Sequence, residues 1–180
     1  MRIDVKKTYK LFIGGEFPRS ESGRSYEVFD AKGNFLANPA LASRKDLRDA
    51  VVSSRGAAEK WEKTSAFNRS QILYRVAEVM QGRAEQFASE IIAQEGLTKS
   101  QAKKQVEKAI DLWVWYSGWC DKIATIYGAT NPVSGSFYNF TIPEPLGVVG
   151  VFAGGKDSLL DLVHGVAPVI SASIVAGTGK

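Results

Sequence analysis

Short apolar runs alternate with turn residues in the first 42 positions. Leu11–Ile13 lead into the pair Gly14–Gly15, and the apolar pairs Val28–Phe29 and Phe35–Leu36 stand on either side of a second turn segment. Glycine adopts the positive φ that tight turns require, at no steric cost. The pattern predicts N-terminal strands over residues 1–42, arranged as a small antiparallel meander.

Residues 43–127 carry apolar side chains at i, i+3 and i+4 spacing and contain no proline, which predicts four helices with short connectors. Ser43 with Asp46 forms a capping-box pattern, and further starts fall near Ser65 and at Thr98. Gly96 suits the left-handed end of the third helix. The predicted core positions are Leu47, Ala50, Val51, Ser54, Ala58 and Trp61 in the first helix, Ile72, Leu73, Val76, Ala77 and Met80 in the second, Phe87, Ile91 and Ile92 in the third, and Ala102, Val106, Ala109, Ile110, Trp113, Ser117 and Ala124 in the fourth.

The last third of the chain changes character after a loop predicted at 128–136. A connecting strand is predicted within 137–147, where Phe137–Ile142 alternate apolar and polar residues. The continuous apolar run Val148–Ala153 predicts a strand buried on both faces. A glycine turn and a helix from Asp157 or Ser158 to about Ser173 follow. The order strand, glycine turn, helix predicts that 148–180 opens a dinucleotide-binding βα unit.

Composition removes several classes of protein. The chain has 180 residues, a formal net charge of +4, one cysteine and one histidine. A lone cysteine excludes an internal disulfide. A structural zinc site is excluded as well, because it needs four ligands and the chain has one cysteine and one histidine. No apolar run reaches the roughly 18–20 residues of a membrane span, and the N-terminal residues, which no apolar stretch follows, do not predict a secretory signal. Basic and acidic residues are interleaved, so no nucleic-acid partner is predicted. We expect a protein of the cytoplasm or another reducing, soluble compartment.

Seven short motifs, together with the predicted helix from Ser43 to Trp61, resemble in their co-linear order the N-terminal portion of the aldehyde dehydrogenase superfamily. They are LFIGGEF (11–17), SESGRSYEVFD (20–30), RSQILYRVAEVM (69–80), QEGLTKSQA (94–102), AIDLWVWYSG (109–118), EPLGVVGVFA (144–153) and VAPVI (166–170). The resemblance implies an α/β fold with a β-hairpin region, four flanking helices, a connecting strand used in subunit assembly and the first βα unit of a Rossmann-type sheet. We therefore expect residues 1–180 to form a single, incomplete aldehyde dehydrogenase-like domain, truncated and degenerate at its cofactor domain.

The resemblance also implies a set of catalytic groups and a cofactor. The family uses a cysteine nucleophile, a glutamate base, an asparagine amide from the motif P-W-N-F-P, and NAD or NADP as hydride acceptor. The cysteine and glutamate belong to segments that this sequence does not contain, and Lys156 stands where the asparagine is expected. The family's cofactor lysine should fall near Gly179, after a turn that here contains Ser173–Val175. No catalytic residue is therefore predicted, and no cofactor is expected for this chain alone.

Gly154, Gly155 and Lys156 are candidates for binding an anion. A glycine turn that enters a helix exposes backbone N–H groups, and Lys156 adds positive charge. The alternative is a plain turn and helix cap, since Asp157 and Ser158 are ordinary N-cap residues and Asp157 repels phosphate. Gly177–Lys180 resembles the end of a phosphate loop but lacks the first glycine and the following Ser or Thr of that motif.

Three further side-chain groups invite a functional interpretation. Cys120 lies beside Asp121, whose carboxylate raises a thiol pKa, so a packing role is predicted on the long fourth helix. His164 is predicted to be a surface residue. Trp115 and Trp119 are i, i+4 neighbours on a second apolar face of the same helix, which suggests an oligomer contact.

Three hypotheses about function follow. A lone βα unit leaves strand edges and apolar helix surface exposed, so we expect self-association or a protein partner that completes the sheet. The first hypothesis is a non-catalytic aldehyde dehydrogenase-like assembly or structural subunit. The second is the N-terminal fragment of an NAD(P)-dependent aldehyde dehydrogenase that another chain completes. The third is a small anion or nucleotide binder that uses the turn at 154–158.

Overall fold

A computed structural model describes residues 7–172 and 175–179, in which six helices and seven short strands give a mixed α/β fold. The elements in chain order are β1 (Lys7–Tyr9), β2 (Val28–Phe29), β3 (Phe35–Pro39), α1 (Arg44–Glu62), α2 (Ala66–Gly82), α3 (Ala84–Glu95), α4 (Lys99–Ser117), α5 (Ile123–Tyr127), β4 (Ala129–Thr130), β5 (Phe140–Thr141), β6 (Val148–Phe152), α6 (Ser158–Ser171) and β7 (Val175–Gly179).

The N-terminal strands form a mixed sheet, so the predicted antiparallel meander is wrong. β3 lies in the centre, antiparallel to β2 and parallel to β1. Leu11–Ile13 belong to no strand; they enter a tight hairpin in which Ile13 and Glu16 exchange backbone hydrogen bonds of 3.1 Å. Gly14 and Gly15, with φ of 64° and 84°, make that turn as predicted. The chain between Tyr9 and Phe35 is long enough to bring β3 back beside β1 in the parallel direction, which the local pattern does not encode.

The start of α1 is fixed by a buried carboxylate. Ser43 and Asp46 form the predicted capping box, in which Ser43 Oγ accepts from the Asp46 N–H and Asp46 accepts from the Ser43 N–H at 2.7 Å. Asp46 also accepts from the Ser20 hydroxyl at 2.8 Å and from the Glu21 N–H at 3.1 Å. Backbone hydrogen bonds from Ser43 and Glu21 are the main reason that the pKa of Asp46 falls from its usual 3.8 to about 2. Asp46 thereby ties the N-terminal segment to α1.

The lowered pKa of Asp46 predicts a loss of stability in acid. The ionised form is favoured in the folded chain, so its contribution is present above pH 4 and is lost as the pH falls through about 2. We expect Asp46→Asn to lower the thermal midpoint at pH 6 by roughly 5 °C. The difference between variant and parent should shrink between pH 4 and pH 2, as measured by circular dichroism. A difference that stays constant over that interval would contradict the assignment, and Asp49→Asn on the exposed face of α1 is the matched control.

The main core lies where α2, α4 and α6 meet. Its buried members include Leu73, Ala77 and Met80 of α2, Ala109 and Trp113 of α4, and Val163 and Ala167 of α6. A second cluster joins α3 to α4 through Ala88, Ile91, Ala102 and Val106. Trp61 at the end of α1 contacts the main core, and its indole N–H donates to the carbonyl of Ile170 at 3.1 Å.

Four of the predicted core positions are exposed instead, three of them on α1 and α2 and the fourth, Ala124, beyond the end of α4. Leu47 of α1 and Ile72 and Val76 of α2 lie on the surface. The apolar arc of α2 is wide, and α4 and α6 cover only the part that contains Leu73 and Ala77. The sequence pattern shows that a position is apolar, but a second element must be in place to bury it.

The predicted fourth helix is shorter than expected. α4 ends at Ser117, and a turn at 118–122 separates it from the short α5, so Ala124 belongs to another element and is exposed. Gly118, the C-cap residue of α4, donates its N–H to the carbonyls of the last turn. The predicted connecting strand is also shorter, because only Phe140–Thr141 form β5, paired with β4 in a segment that was predicted as a loop.

The βα unit at the end of the chain forms as predicted, with two corrections. β6 is not buried on both faces, since Val151 packs under α6 while Phe152 is 96% exposed. β6 is also not alone: β7, which the sequence pattern did not reveal, pairs with it in parallel from Val148–Val175 to Phe152–Gly179. The predicted turn containing Ser173 and Ile174, and the end of the phosphate-loop-like segment at Lys180, lie outside the described residues. In the described part of the chain, no helix combines the length and apolar character needed to cross a membrane.

Candidate functional site

The candidate turn lies at the C-terminal end of β6, where parallel sheets of this type usually place their ligand sites. Gly154 has a φ of 154°, a conformation that favours glycine, and Gly154–Lys156 are exposed. α6 begins two residues later at Ser158, with its N-terminal N–H groups directed to this end of the sheet. The turn and the helix start therefore have the geometry that the sequence predicted.

A carboxylate from another helix already occupies the start of α6. Glu95, the last residue of α3, accepts from the Ser158 N–H at 3.1 Å and from the Ser158 hydroxyl at 2.5 Å. Gln105 of α4 is buried and donates its amide to the other Glu95 oxygen at 3.0 Å and to Asp157 at 3.4 Å. Asp157 holds the N-cap position of α6, but its side chain makes no cap hydrogen bond. Glu95 therefore caps α6 in place of the Asp157 and Ser158 side chains that the sequence suggested.

The surroundings of the turn are acidic. The Asp161 carboxylate lies directly against the Cα of Gly155, in the space that a Cβ at this position would fill. Together with Glu95 and Asp157 it places three carboxylates next to the N-terminus of α6, and Lys156 is the one basic residue within 154–158. These negative charges complement the positive end of the helix dipole and repel a second anion. Anion binding by Gly154, Gly155 and Lys156 stays a prediction, and this geometry favours the plain turn and cap.

Glu95 and Gln105 are not among the predicted site residues, although each leaves a signal in the sequence. Glu95 is an acid at the C-terminal end of a helix, where the dipole disfavours negative charge, so it needs a partner elsewhere. Gln105 is a polar residue three positions after Ala102 and one before Val106, on the apolar face of α4. Such a residue is expected to make hydrogen bonds inside the core. Neither signal identifies the residue that is bound. The partner of Glu95 is Ser158, which lies 63 residues further along the chain.

Removing the Glu95 carboxylate should weaken the start of α6. We expect Glu95→Ala to lower the free energy of unfolding by about 1–2 kcal/mol, the range typical for the loss of a helix cap. Urea denaturation measures the change, and Glu107→Ala on the exposed face of α4 serves as a control with an expected change below about 0.5 kcal/mol. Equal effects of the two substitutions would show that Glu95 does not cap α6 in solution.

The turn does not fit the pyrophosphate of a dinucleotide. The Ser158 N–H that would face a phosphate is bonded to Glu95, and the Asp161 carboxylate lies against Gly155. Lys156, at the position expected for the catalytic asparagine, is exposed at this turn. Within residues 7–172 and 175–179, no group of three or more His, Cys, Asp or Glu residues is arranged to hold a metal ion.

Cys120 has the environment of a packing residue. It is buried in the turn after α4, where its Sγ lies 3.7 Å from the Tyr116 carbonyl oxygen. Burial is the main cause that raises the pKa of the Cys120 thiol, and Asp121 raises it further against the opposing effect of Arg69. A nucleophilic cysteine needs the opposite shift, because the thiolate is the reactive form.

The remaining candidate side chains lie on the surface, as the sequence predicted. His164 is exposed on α6. Trp115 is exposed and its ring lies 6.2 Å from that of half-buried Trp119, while Trp113 on the other face of α4 is buried. Trp119 lies in the turn after α4 and not on the helix as predicted, so the pair forms an apolar surface at the end of α4. Its role in an oligomer stays a prediction.

A strand, a glycine turn and a helix, preceded by five helices and an N-terminal sheet in the described part of the chain, define an aldehyde dehydrogenase-type α/β fold. The comparison with known sequences gives the same assignment: residues 17–173 match the profile of the aldehyde dehydrogenase family, and the chain belongs to that family. One similar protein is the cytosolic 10-formyltetrahydrofolate dehydrogenase of Mus musculus, 32% identical over 95% of this chain and 20% of that protein. Another is aldehyde dehydrogenase family 2 member B4, mitochondrial, of Arabidopsis thaliana, 31% identical over 94% of this chain and 31% of that protein.

Solved structures show the same fold at lower sequence identity. The NAD-dependent aldehyde dehydrogenase from Sinorhizobium meliloti superposes with a TM-score of 0.89 at 23% identity, over 97% of this chain and 35% of that one. A salicylaldehyde dehydrogenase from Pseudomonas putida gives 0.88 at 19% identity, over 97% and 36%. The chain thus spans about a fifth to a third of the length of these curated relatives, and about a third of the length of the solved chains.

Proposed function

We propose that this chain is, by itself, a non-catalytic structural unit of the aldehyde dehydrogenase type. It self-associates or docks on a protein partner that completes its sheet. The observation that carries this proposal is the uncovered apolar surface at β6 and just before it. Phe152 at the end of β6 is 96% exposed and Leu146, just before β6, is 87% exposed.

The open sheet favours association. In the described part of the chain, β6 has a hydrogen-bonded neighbour on one side, so its other edge presents backbone groups that a further strand can pair. Burying a side chain such as Phe152 or Leu146 contributes about 1.5–3 kcal/mol. A second exposed apolar surface lies on the segment around β4 and β5, where Phe137, Tyr138 and Ile142 are largely exposed. Both surfaces support an assembly role.

The lack of a suitable nucleophile supports the absence of catalysis. Cys120 is buried with a raised pKa, and Lys156 stands where the resemblance implies an oxyanion-binding amide. A lone, buried free thiol is also compatible with a reducing compartment such as the cytoplasm, which we propose as the location.

We expect the purified chain to reduce neither NAD nor NADP when it is supplied with an aldehyde. The assay follows the absorbance of the reduced nicotinamide with an aliphatic and an aromatic aldehyde. The Cys120→Ser variant is run in parallel to detect contaminating enzyme. Turnover that scales with the concentration of the chain and disappears in Cys120→Ser would refute the non-catalytic assignment.

The assembly role can be tested on the two exposed surfaces separately. Sedimentation velocity over a range of concentrations should show association of the parent chain. Phe152→Asp, at the sheet, should shift the chain towards monomer, and Phe137→Asp tests the β4–β5 segment. Both side chains are exposed, so neither change is expected to unfold the protein. A parent chain that sediments as a monomer at all concentrations, and binds no partner through Phe152, would refute the assembly role.

The second candidate is the N-terminal part of an NAD(P)-dependent aldehyde dehydrogenase that another chain completes. The close superposition over 97% of this chain favours it, because a preserved fold can accept the remaining two thirds of a relative. Co-expression with the complementary portion of the Sinorhizobium meliloti enzyme distinguishes the two candidates. Restored aldehyde oxidation would favour completion by another chain, and a stable but inactive complex would favour the structural role.

A further inference from the structure

We propose that the groove between α2 and α3 binds an amphipathic helix of a partner protein, one with an apolar stripe bordered by acidic residues. The groove has a volume of about 500 Å³. Its apolar wall and basic rim are formed by Ile72, Val76, Val79, Phe87, Arg75 and Arg83. It involves neither the β6–β7 sheet nor the start of α6, so it is independent of the function proposed above.

The shape of the groove fits a helix. Ile72, Val76 and Val79 are spaced i, i+4 and i+7, so they form one exposed stripe along the axis of α2. Phe87 of α3 contributes to the wall of the groove beside this stripe. A helix laid along another helix presents side chains with the same period, and helix-in-groove recognition uses such i, i+4, i+7 anchors.

The adjacent face of α2 is already packed in the core. Leu73, Ala77 and Met80 are buried in the main core, so the stripe is additional to what the fold requires. Ile72 and Val79 are each 47% exposed, and an exposed apolar patch with a polar border is typical of an interaction site.

The charge at the rim favours an acidic partner. Arg83 follows Val79 by four positions, so its guanidinium continues the stripe at its C-terminal end. It donates to the neutral amide oxygen of Gln86 at 3.0 Å and lies 6.0 Å from the centroid of the Phe87 ring. Arg75 pairs with Glu78 at 2.9 Å on the exposed surface, where such a pair is weak and readily exchanged. Carboxylates on a docked helix would form charge-assisted hydrogen bonds with both arginines.

A second copy of α2 is a poorer occupant than an acidic helix. Glu78 is the one acidic residue of α2, and Arg75 already engages it. Pairing two copies would therefore bring two arginine pairs together without new acids to neutralise them. Specific recognition depends on such repulsion as much as on attraction.

Two designed peptides test the proposal. Each forms an amphipathic helix with leucines at i, i+4, i+7 and i+11; one carries glutamates beside the leucines and the other carries lysines. Fluorescence anisotropy measures their binding to the full chain. We expect the glutamate peptide to bind at least about tenfold more tightly than the lysine peptide, with an affinity that falls as salt is added.

Substitutions in the chain localise the binding. Val76→Glu puts a negative charge in the middle of the stripe and should lower the affinity for the glutamate peptide by about tenfold or more. Arg75→Glu combined with Arg83→Glu should reverse the preference towards the lysine peptide. Val52→Glu, at an exposed apolar position of α1, is the matched control and should leave both affinities within about twofold. Circular dichroism melts verify that every variant is folded.

Each possible result of these binding experiments either supports the proposal or overturns it. Preference for the glutamate peptide, lost in Val76→Glu and reversed by the double arginine substitution, supports the proposal. Equal binding of both peptides, binding of neither, or no effect of Val76→Glu overturns it. A concentration-dependent dimer of the parent chain that Val76→Glu abolishes and the glutamate peptide does not displace also overturns it, in favour of a second copy.

Discussion

Leu73→Ala is expected to lower the free energy of unfolding by about 2–5 kcal/mol. The Leu73 side chain is 1% exposed and lies in the main core with Trp113 of α4 and Val163 of α6. Its removal takes away apolar burial and leaves a cavity that neighbours on three helices cannot fill without moving. A domain of this kind has a total stability of about 5–15 kcal/mol, so the variant should retain only part of it.

The adjacent residue provides the control for Leu73→Ala. Ile72 is also a large aliphatic residue of α2, but it is 47% exposed, so Ile72→Ala should cost less than about 1 kcal/mol. Urea denaturation followed by tryptophan fluorescence measures both changes. If Ile72→Ala proved as destabilising as Leu73→Ala, the groove would be covered in the free chain, and the docking surface proposed for α2 would be lost with it.

Gly165→Val should destabilise the βα unit by about 1–3 kcal/mol or more. Gly165 lies on α6 where the helix crosses β6, and a Cβ at this position would fall 2.5 Å from Val151 Cγ1. Valine has few rotamers with which to move aside, so the helix has to shift away from the strand. Because Val151 is the buried side chain of β6, we expect the loss to appear first in the hydrogen-exchange protection of β6.

A second helical glycine provides the control for Gly165→Val. It shows how much of the change in stability comes from replacing glycine by valine in a helix, without steric crowding. Gly56 lies inside α1 with open space around its Cα, so Gly56→Val should change the free energy of unfolding by less than about 0.5 kcal/mol. Thermal and urea denaturation of both variants give the comparison. Equal stability of the two variants would mean that α6 does not approach β6 as closely as the structure indicates.

The starts of α1, α2 and α4 and the end of α3 were predictable from sequence because their causes are local. Ser43, Ser65 and Thr98 cap their helices through side-chain bonds to backbone three residues away, and Gly96 ends α3 with a φ of 68°. Each of these interactions lies within one turn of the chain, so the residues that make them are visible side by side in the sequence.

Only part of the candidate site was predictable from sequence, because its remaining contacts join residues that are far apart along the chain. The turn at Gly154–Lys156 and the start of α6 follow from local residue types. The group that fills the helix N-terminus is Glu95, 63 residues away from Ser158, and the buried Gln105 that orients it comes from a third helix. A polar residue on an apolar face signals that a partner exists, but the packing of the helices selects which one.

The sequence alone determined the family and the N-terminal caps of α1, α2 and α4, because these depend on residue identity and short spacing. Tertiary structure decided the rest. It placed β7 beside β6 and β3 beside β1, left one side of α2 uncovered, and brought Glu95 to the start of α6. Strand pairing and burial are contacts between distant segments, so no local pattern encodes which surfaces meet and which remain exposed.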